Sequence, residues 1–340
     1  MTIRRVFLSF VALIVAGSGV AFALRGINES LRDRRPALIG VNLPSATFAE
    51  RTLPGKEGVD YFYPDAPDMD YFVRNGMNVV RIGFLWERLQ PVLNGPLDAR
   101  EAQGLDSAVK AALRRRATVI LDLHNYARYR GQVIGSEAVP DESLADFWAR
   151  LAAIYGGNDE IIFGLMNEPH DIDAEQWRRA AQSAILRIRQ AGARNLILVS
   201  SSRWDGASHF TADGEIWKQI ADPGDNFAFE VHQYVDVDNT GTHRDCPDTR
   251  VGLAAIQAVT RWMQENRRKA LLSEFGASDR TDCLAALALM LSFIQQHSDT
   301  WLGWTYFAGG RGWADDDVLS IQPVANKDKP QMELLRQYLR

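Results

Sequence analysis

The chain has 340 residues but only two cysteines, Cys246 and Cys283. Neither belongs to a C-x-x-C pair, which argues against a structural zinc. Its six histidines are scattered, with no H-E-x-x-H, so no metal centre is expected. No G-x-G-x-x-G follows the first candidate strand, which counts against a dinucleotide fold, and no G-x-S-x-G nucleophile elbow is present. No cofactor is expected. There is no Lys/Arg stripe interleaved with aromatics, and 38 basic against 43 acidic residues give a net charge of −5, so nucleic acid is not an expected partner. No Pro- or Ser-rich linker follows Arg35 and no appended module is visible, so a single domain is expected. The composition, 46% hydrophobic and 24% charged, is that of a globular chain and excludes a disordered one.

What is present begins with a leader pattern. Arg4 and Arg5 precede an uncharged run over 6–24, and Ala21-Phe22-Ala23 supplies a small-x-small site. This order reads as an export signal over 1–23, followed by a lead-in over 24–36 and a catalytic domain over 37–340. The alternative is an uncleaved membrane anchor, since the run is nearly long enough to span a bilayer. Export implies a secreted or periplasmic protein, and in an oxidising compartment an isolated cysteine pair is more often bridged than free. Two unrelated buried thiols are the alternative.

Short apolar runs at 37–42, 79–83, 118–123, 161–166, 196–200, 227–232, 270–273 and 302–307 read as eight strands. Most lack polar alternation, as parallel strands buried on both faces do. Amphipathic stretches at 105–115, 144–155, 175–191, 253–266 and 283–296 separate them as helices. Eight such units in about 300 residues favour an α/β fold closed into a (β/α)8 TIM barrel.

Catalytic groups of such barrels gather at the C-terminal strand ends. Here those ends carry Arg81, His124, Asn167-Glu168, Trp204, His232 and Tyr234, Glu274, and Trp304 to Phe307. Glu168 and Glu274 each follow a buried apolar run, where a carboxylate is costly unless paired or used. Two carboxylates facing each other across one barrel mouth suit glycoside hydrolysis: one protonates the leaving oxygen and one faces the anomeric carbon. The bland reading of either glutamate is a salt bridge to Arg81.

The runs Leu121-Asp122-Leu123-His124-Asn125-Tyr126-Ala127-Arg128, Gly164-Leu165-Met166-Asn167-Glu168-Pro169-His170-Asp171, Val231-His232-Gln233-Tyr234, Asp238-Asn239-Thr240-Gly241-Thr242-His243 and Leu272-Ser273-Glu274-Phe275-Gly276 carry a resemblance. Together they resemble glycoside hydrolase family five, and within it the secreted fungal and bacterial endo-β-1,4-glucanases. The resemblance runs from Gly40 to the last strand. It implies a retaining enzyme with Glu168 as acid/base and Glu274 as nucleophile. It further implies Asn167 as a donor to the sugar 2-hydroxyl, and Arg81 and Tyr234 as partners of the nucleophile. His124 and His232 are implied as sugar ligands and carboxylate partners. A positive Arg81 beside Glu274 would keep it ionised, and a drier setting would keep the proton on Glu168. Relatives also carry a disulfide where Cys246 and Cys283 fall. One departure stands out: Phe307 occupies the place where the family usually has a tryptophan flooring the reacting sugar. Trp304 could take over that role only with a different strand register.

Trp204 and Trp86 read equally as sugar platforms or core residues, while Trp148, Trp177 and Trp262 fall at helical core spacing. Asp315-Asp316-Asp317 reads as a solvated turn, with calcium as the alternative. The expected activity is endo-hydrolysis of β-1,4-glucan by a monomer. Mannan, mixed-linkage glucan or a self-made exopolysaccharide are the alternative substrates, and a non-catalytic glycan-binding barrel is the alternative class.

Overall fold

In a computed structural model, residues 36–339 are described. The expected export segment over 1–23, and the lead-in up to residue 35, lie outside the described residues. Eight parallel strands form the barrel: β1 (Leu38–Ala46), β2 (Val79–Phe84), β3 (Thr118–Leu123), β4 (Ile161–Gly164), β5 (Ile197–Val199), β6 (Phe227–His232), β7 (Ala270–Glu274) and β8 (Trp301–Tyr306). Each pairs with its neighbours in chain order, and β8 pairs with β1 to close the ring. The expected (β/α)8 barrel is the one observed, with every strand near its expected place.

Among the described residues, six helices of nine residues or more cover the outside: α1 (Ala66–Arg74), α2 (Ala99–Leu113), α3 (Asp141–Tyr155), α4 (Ala174–Gln190), α5 (Val251–Glu265) and α6 (Thr281–Gln296). Between β5 and β6 only short turns of helix occur, Ala207–Phe210 and Gly214–Trp217. Asp98 and Asp173 cap α2 and α4, each accepting from two backbone N–H groups of the first turn. Trp148 and Trp177 are fully buried and Trp262 is nearly so, as core residues.

Strand alternation divides the barrel residues into two sets. Val80, Ile82, Val119, Leu121, Phe163, Val199, Phe229, Val231 and Leu272 face the helices in the large core. Val79, Ile120, Ile162, Leu198, Ala228 and Leu271 form a separate apolar layer inside the ring. That layer plugs one end, so a ligand can approach only from the other. Glycines let the seam close: a Cβ on Gly40 would lie 1.8 Å from the Val79 carbonyl oxygen, and one on Gly303 1.6 Å from that of Leu38.

Cys246, in the loop after β6, is bonded to Cys283 near the start of α6, with a Cα–Cα distance of 5.1 Å. The pairing implied by the resemblance is present, and the two-thiol alternative is excluded. Among the described residues, no helix is long and apolar enough to cross a membrane.

Candidate active site

Two residues beyond the apolar layer, on the same inner face, the barrel turns polar. Arg81 of β2 follows Val79 in this way and is only 1% exposed. Its Nη1 donates to Asn42 Oδ1 at 2.9 Å and Glu274 Oε2 at 3.3 Å. Its Nη2 donates to Asp122 Oδ1 at 3.0 Å and Asn167 Oδ1 at 2.8 Å. Its Nε lies 3.4 Å from Glu230 Oε1. One guanidinium thus ties together groups from β1, β3, the end of β4, β6 and β7. A buried cation needs this many partners to offset lost hydration.

Glu274 ends β7 with its carboxylate at the cleft floor. Tyr234 donates its hydroxyl to Oε1 at 2.8 Å, opposite the Arg81 contact. Burial, with the nearby charge of Glu168, raises its pKa above the ordinary value, and Arg81 pulls the other way. Arg81 therefore offsets the cost of burying this charge without bringing the pKa below its usual value. Burial also holds the Tyr234 hydroxyl well above its normal pKa, so it stays a donor.

Glu168 stands just past β4 in a left-handed backbone conformation, φ 48°. Its Oε1 lies 2.8 Å from His232 Nδ1, and its backbone N–H donates to Asp205 Oδ2 at 3.0 Å. Burial pushes its pKa up to about 7, against the opposing pull of His124 and Arg81. Burial pulls His232 down to about 3, so a neutral imidazole faces Glu168 at neutral pH. An oxygen of Glu168, an oxygen of Glu274 and a ring nitrogen of His232 lie within 4.8 Å of one another. The two carboxylates therefore meet across one cleft.

That cleft has a volume of about 740 Å³ and is lined by Glu168, Glu274, His232, Tyr234, Trp204 and Phe307, among others. Trp204 is half exposed on its rim, stacked face to face on His170 at 3.6 Å with 4° between the rings. Phe307 is in the cleft, where the sequence put it, with Trp313 edge-on at 5.7 Å. Asn167 and His124 lie deeper: Asn167 Nδ2 is 3.2 Å from His124 Nε2, and His124 Nδ1 is 2.7 Å from Asp122 Oδ2.

One tryptophan, Trp304, is corrected, and the open reading of another, Trp86, is resolved. Trp304 is 2% exposed and packs edge-on against Phe275 in the outer core, so no sugar reaches it. The cause is a register slip of β8 against β7 between Trp301 and Gly303, which leaves Leu302 on the inner layer and turns Trp304 outward. Trp86 is fully buried against Tyr129 and Phe147 and is a core residue, not a platform.

Asn42, Asp122, Asp205 and Glu230 were not singled out by sequence reasoning. The signal for Asp122 and Glu230 is an acid inside an apolar strand, Leu121-Asp122-Leu123 and Phe229-Glu230-Val231; Asp205 has none. Asp236, Asp238 and His243 also bring ligand-type atoms within 4.8 Å of one another. Asp236, however, already accepts from the backbone N–H groups of Gly241 and His243, so it staples its loop. Asp317 accepts from the N–H groups of Leu319 and Ser320, which accounts for it as a turn residue.

Residues 42–310 match the sequence profile of cellulase, glycosyl hydrolase family 5. The chain belongs to this family. Among the cellulase family, endo-beta-1,4-glucanase B of Emericella nidulans is 33% identical over 314 residues, covering 92% of this chain and 93% of that protein. The solved structure of XacCel5A in complex with cellopentaose superposes with a TM-score of 0.88 at 43% identity, covering 89% of this chain and 99% of the other. Pseudomonas stutzeri endoglucanase Cel5A, solved with cellobiose, gives a TM-score of 0.84 at 34% identity, covering 90% and 95%.

Proposed function

We propose that this cellulase-family protein is a retaining endo-β-1,4-glucanase, with Glu168 as acid/base and Glu274 as nucleophile. The observation that carries the reading is the approach of the two carboxylates to within 4.8 Å in the cleft. Retaining enzymes hold such groups about 5–5.5 Å apart, while inverting ones leave about 6.5–9.5 Å for a water. The substrate follows from the relatives: the fungal protein is an endo-β-1,4-glucanase, and XacCel5A holds cellopentaose.

In the first step Glu274 attacks the anomeric carbon while Glu168 gives its proton to the departing glycosidic oxygen. The C–O bond breaks, and an ester forms between Glu274 and the sugar. In the second step the Glu168 carboxylate takes a proton from water, whose oxygen attacks the same carbon and releases Glu274. Arg81 and Tyr234 stabilise the carboxylate as it leaves. Neutral His232 orients Glu168 without placing a cation beside it. Asn167 and His124 are read as sugar-facing groups, and Phe307 and Trp204 as stacking surfaces.

The Cys246–Cys283 bridge and the leader pattern together favour an exported protein working in an oxidising compartment. The test is hydrolysis of a soluble β-1,4-glucan with the first product followed by NMR. A β-configured first product supports the reading. An α-configured one rejects retention, and no hydrolysis of any β-glycan leaves a binding barrel.

A further inference from the structure

Asp205 belongs to no motif in the sequence, yet it touches both residues of the Glu168–His232 pair. Its Oδ2 accepts the Glu168 backbone N–H at 3.0 Å, and its carbonyl oxygen accepts the His232 N–H at 2.9 Å. The preceding Trp204 N–H donates to the Pro169 carbonyl at 3.1 Å, so the same short segment clasps the chain on both sides of Glu168. Arg203, Trp204 and Asp205 are all left-handed, with φ of 59°, 64° and 55°. Non-glycine residues adopt that region at a cost, and a run of three persists only where surrounding contacts fix it.

We propose that Asp205 is a positioning residue for the acid/base, fixing the backbone of Glu168 and its registration against His232. The inference rests on the assignment of Glu168 as acid/base. The side chain works as a neutral carboxylic acid. It is fully buried, its Oδ1 has no hydrogen-bond partner, and its one donor is a backbone N–H. The charged groups that act on it are Glu230 from β6, Glu168 from the end of β4 and Arg81 from β2. Burial and the two acids raise its pKa well above the usual value, outweighing Arg81. Neutrality matters to the cycle. An ionised Asp205 would raise the proton affinity of Glu168, keeping it protonated to higher pH but making it a weaker acid toward the departing oxygen.

The experiment compares kcat/KM on carboxymethyl cellulose, whose leaving group needs protonation, and on 2,4-dinitrophenyl β-cellobioside, whose leaving group does not. Asp205→Ala is expected to lose about 30-fold on the polymer and less than about threefold on the activated substrate. Asp205→Asn, which keeps an oxygen for the Glu168 N–H, should recover at least about tenfold of that loss. Equal losses on both substrates, or an Asn variant no better than Ala, would overturn the proposal. Should the Ala variant fail to fold, the alkaline limb of Asp205→Asn decides. A neutral Asp205 predicts a limb within about 0.3 pH unit of wild type. A downward shift of about a unit or more means that an ionised carboxylate had been removed, and contradicts the neutral acid. Glu168→Gln is the control: it must show the same sparing of the activated substrate, and if it does not, the acid/base assignment fails rather than the role of Asp205.

Discussion

The two walls of the cleft bury one glutamate each, but they are built differently. The Glu274 wall is mostly regular strand: Asn42, Arg81, Asp122 and Glu274 itself sit in β1, β2, β3 and β7, and the Arg81 cation and the Tyr234 hydroxyl, just past β6, reach the two carboxylate oxygens. The Glu168 wall is made of strand ends and left-handed turns, and its side-chain partner is a neutral histidine. Burial raises both pKa values. Burial alone therefore does not divide the labour. The donors do: two directed donors, one of them charged, favour the ionised Glu274, and their absence leaves the proton on Glu168.

The largest test of this contrast removes Glu274, the proposed nucleophile. Glu274→Gln should lose on the order of 10⁵-fold in kcat on every β-glucan. Glu168→Gln should lose about 10²- to 10⁴-fold on polymer, with most of kcat/KM restored on an activated leaving group. Tyr234→Phe removes one directed donor from Glu274 and should cost roughly 10- to 100-fold in kcat, as expected for a hydrogen bond to a charged group. Phe307→Ala should raise KM about fivefold with a smaller change in kcat, since stacking supplies about 0.5–1.5 kcal/mol beyond area burial.

The pH dependence follows from the same contrast. In the proposed first step Glu168 is the acid and must be protonated; burial pushes its pKa up to about 7, so kcat/KM should fall as the pH rises through that value. A limb that persists unchanged to pH 9 would mean that Glu168 is not the essential acid.

The barrel was legible because its strands are buried on both faces and read as eight apolar runs, all found within a few residues of their places. The meeting of the two glutamates in one cleft was legible because a carboxylate after such a run has few structural uses. Trp304 was misplaced because simple alternation does not reveal a register slip, and the slip at Gly303 depends on how β7 and β8 pair. Trp86 was ambiguous because an aromatic ring suits a core and a sugar equally. Asp205 was invisible because its role comes from Glu168 and His232, 37 and 27 positions away in the chain but in direct contact in the fold.

The central claim is that Glu274 becomes covalently bonded to sugar. Incubation with 2,4-dinitrophenyl 2-deoxy-2-fluoro-β-cellobioside, followed by mass spectrometry of the digested protein, tests it directly. The account predicts one fluorocellobiosyl group per chain, on Glu274. Turnover without an adduct, or a label on Glu168 or any other residue, would contradict it.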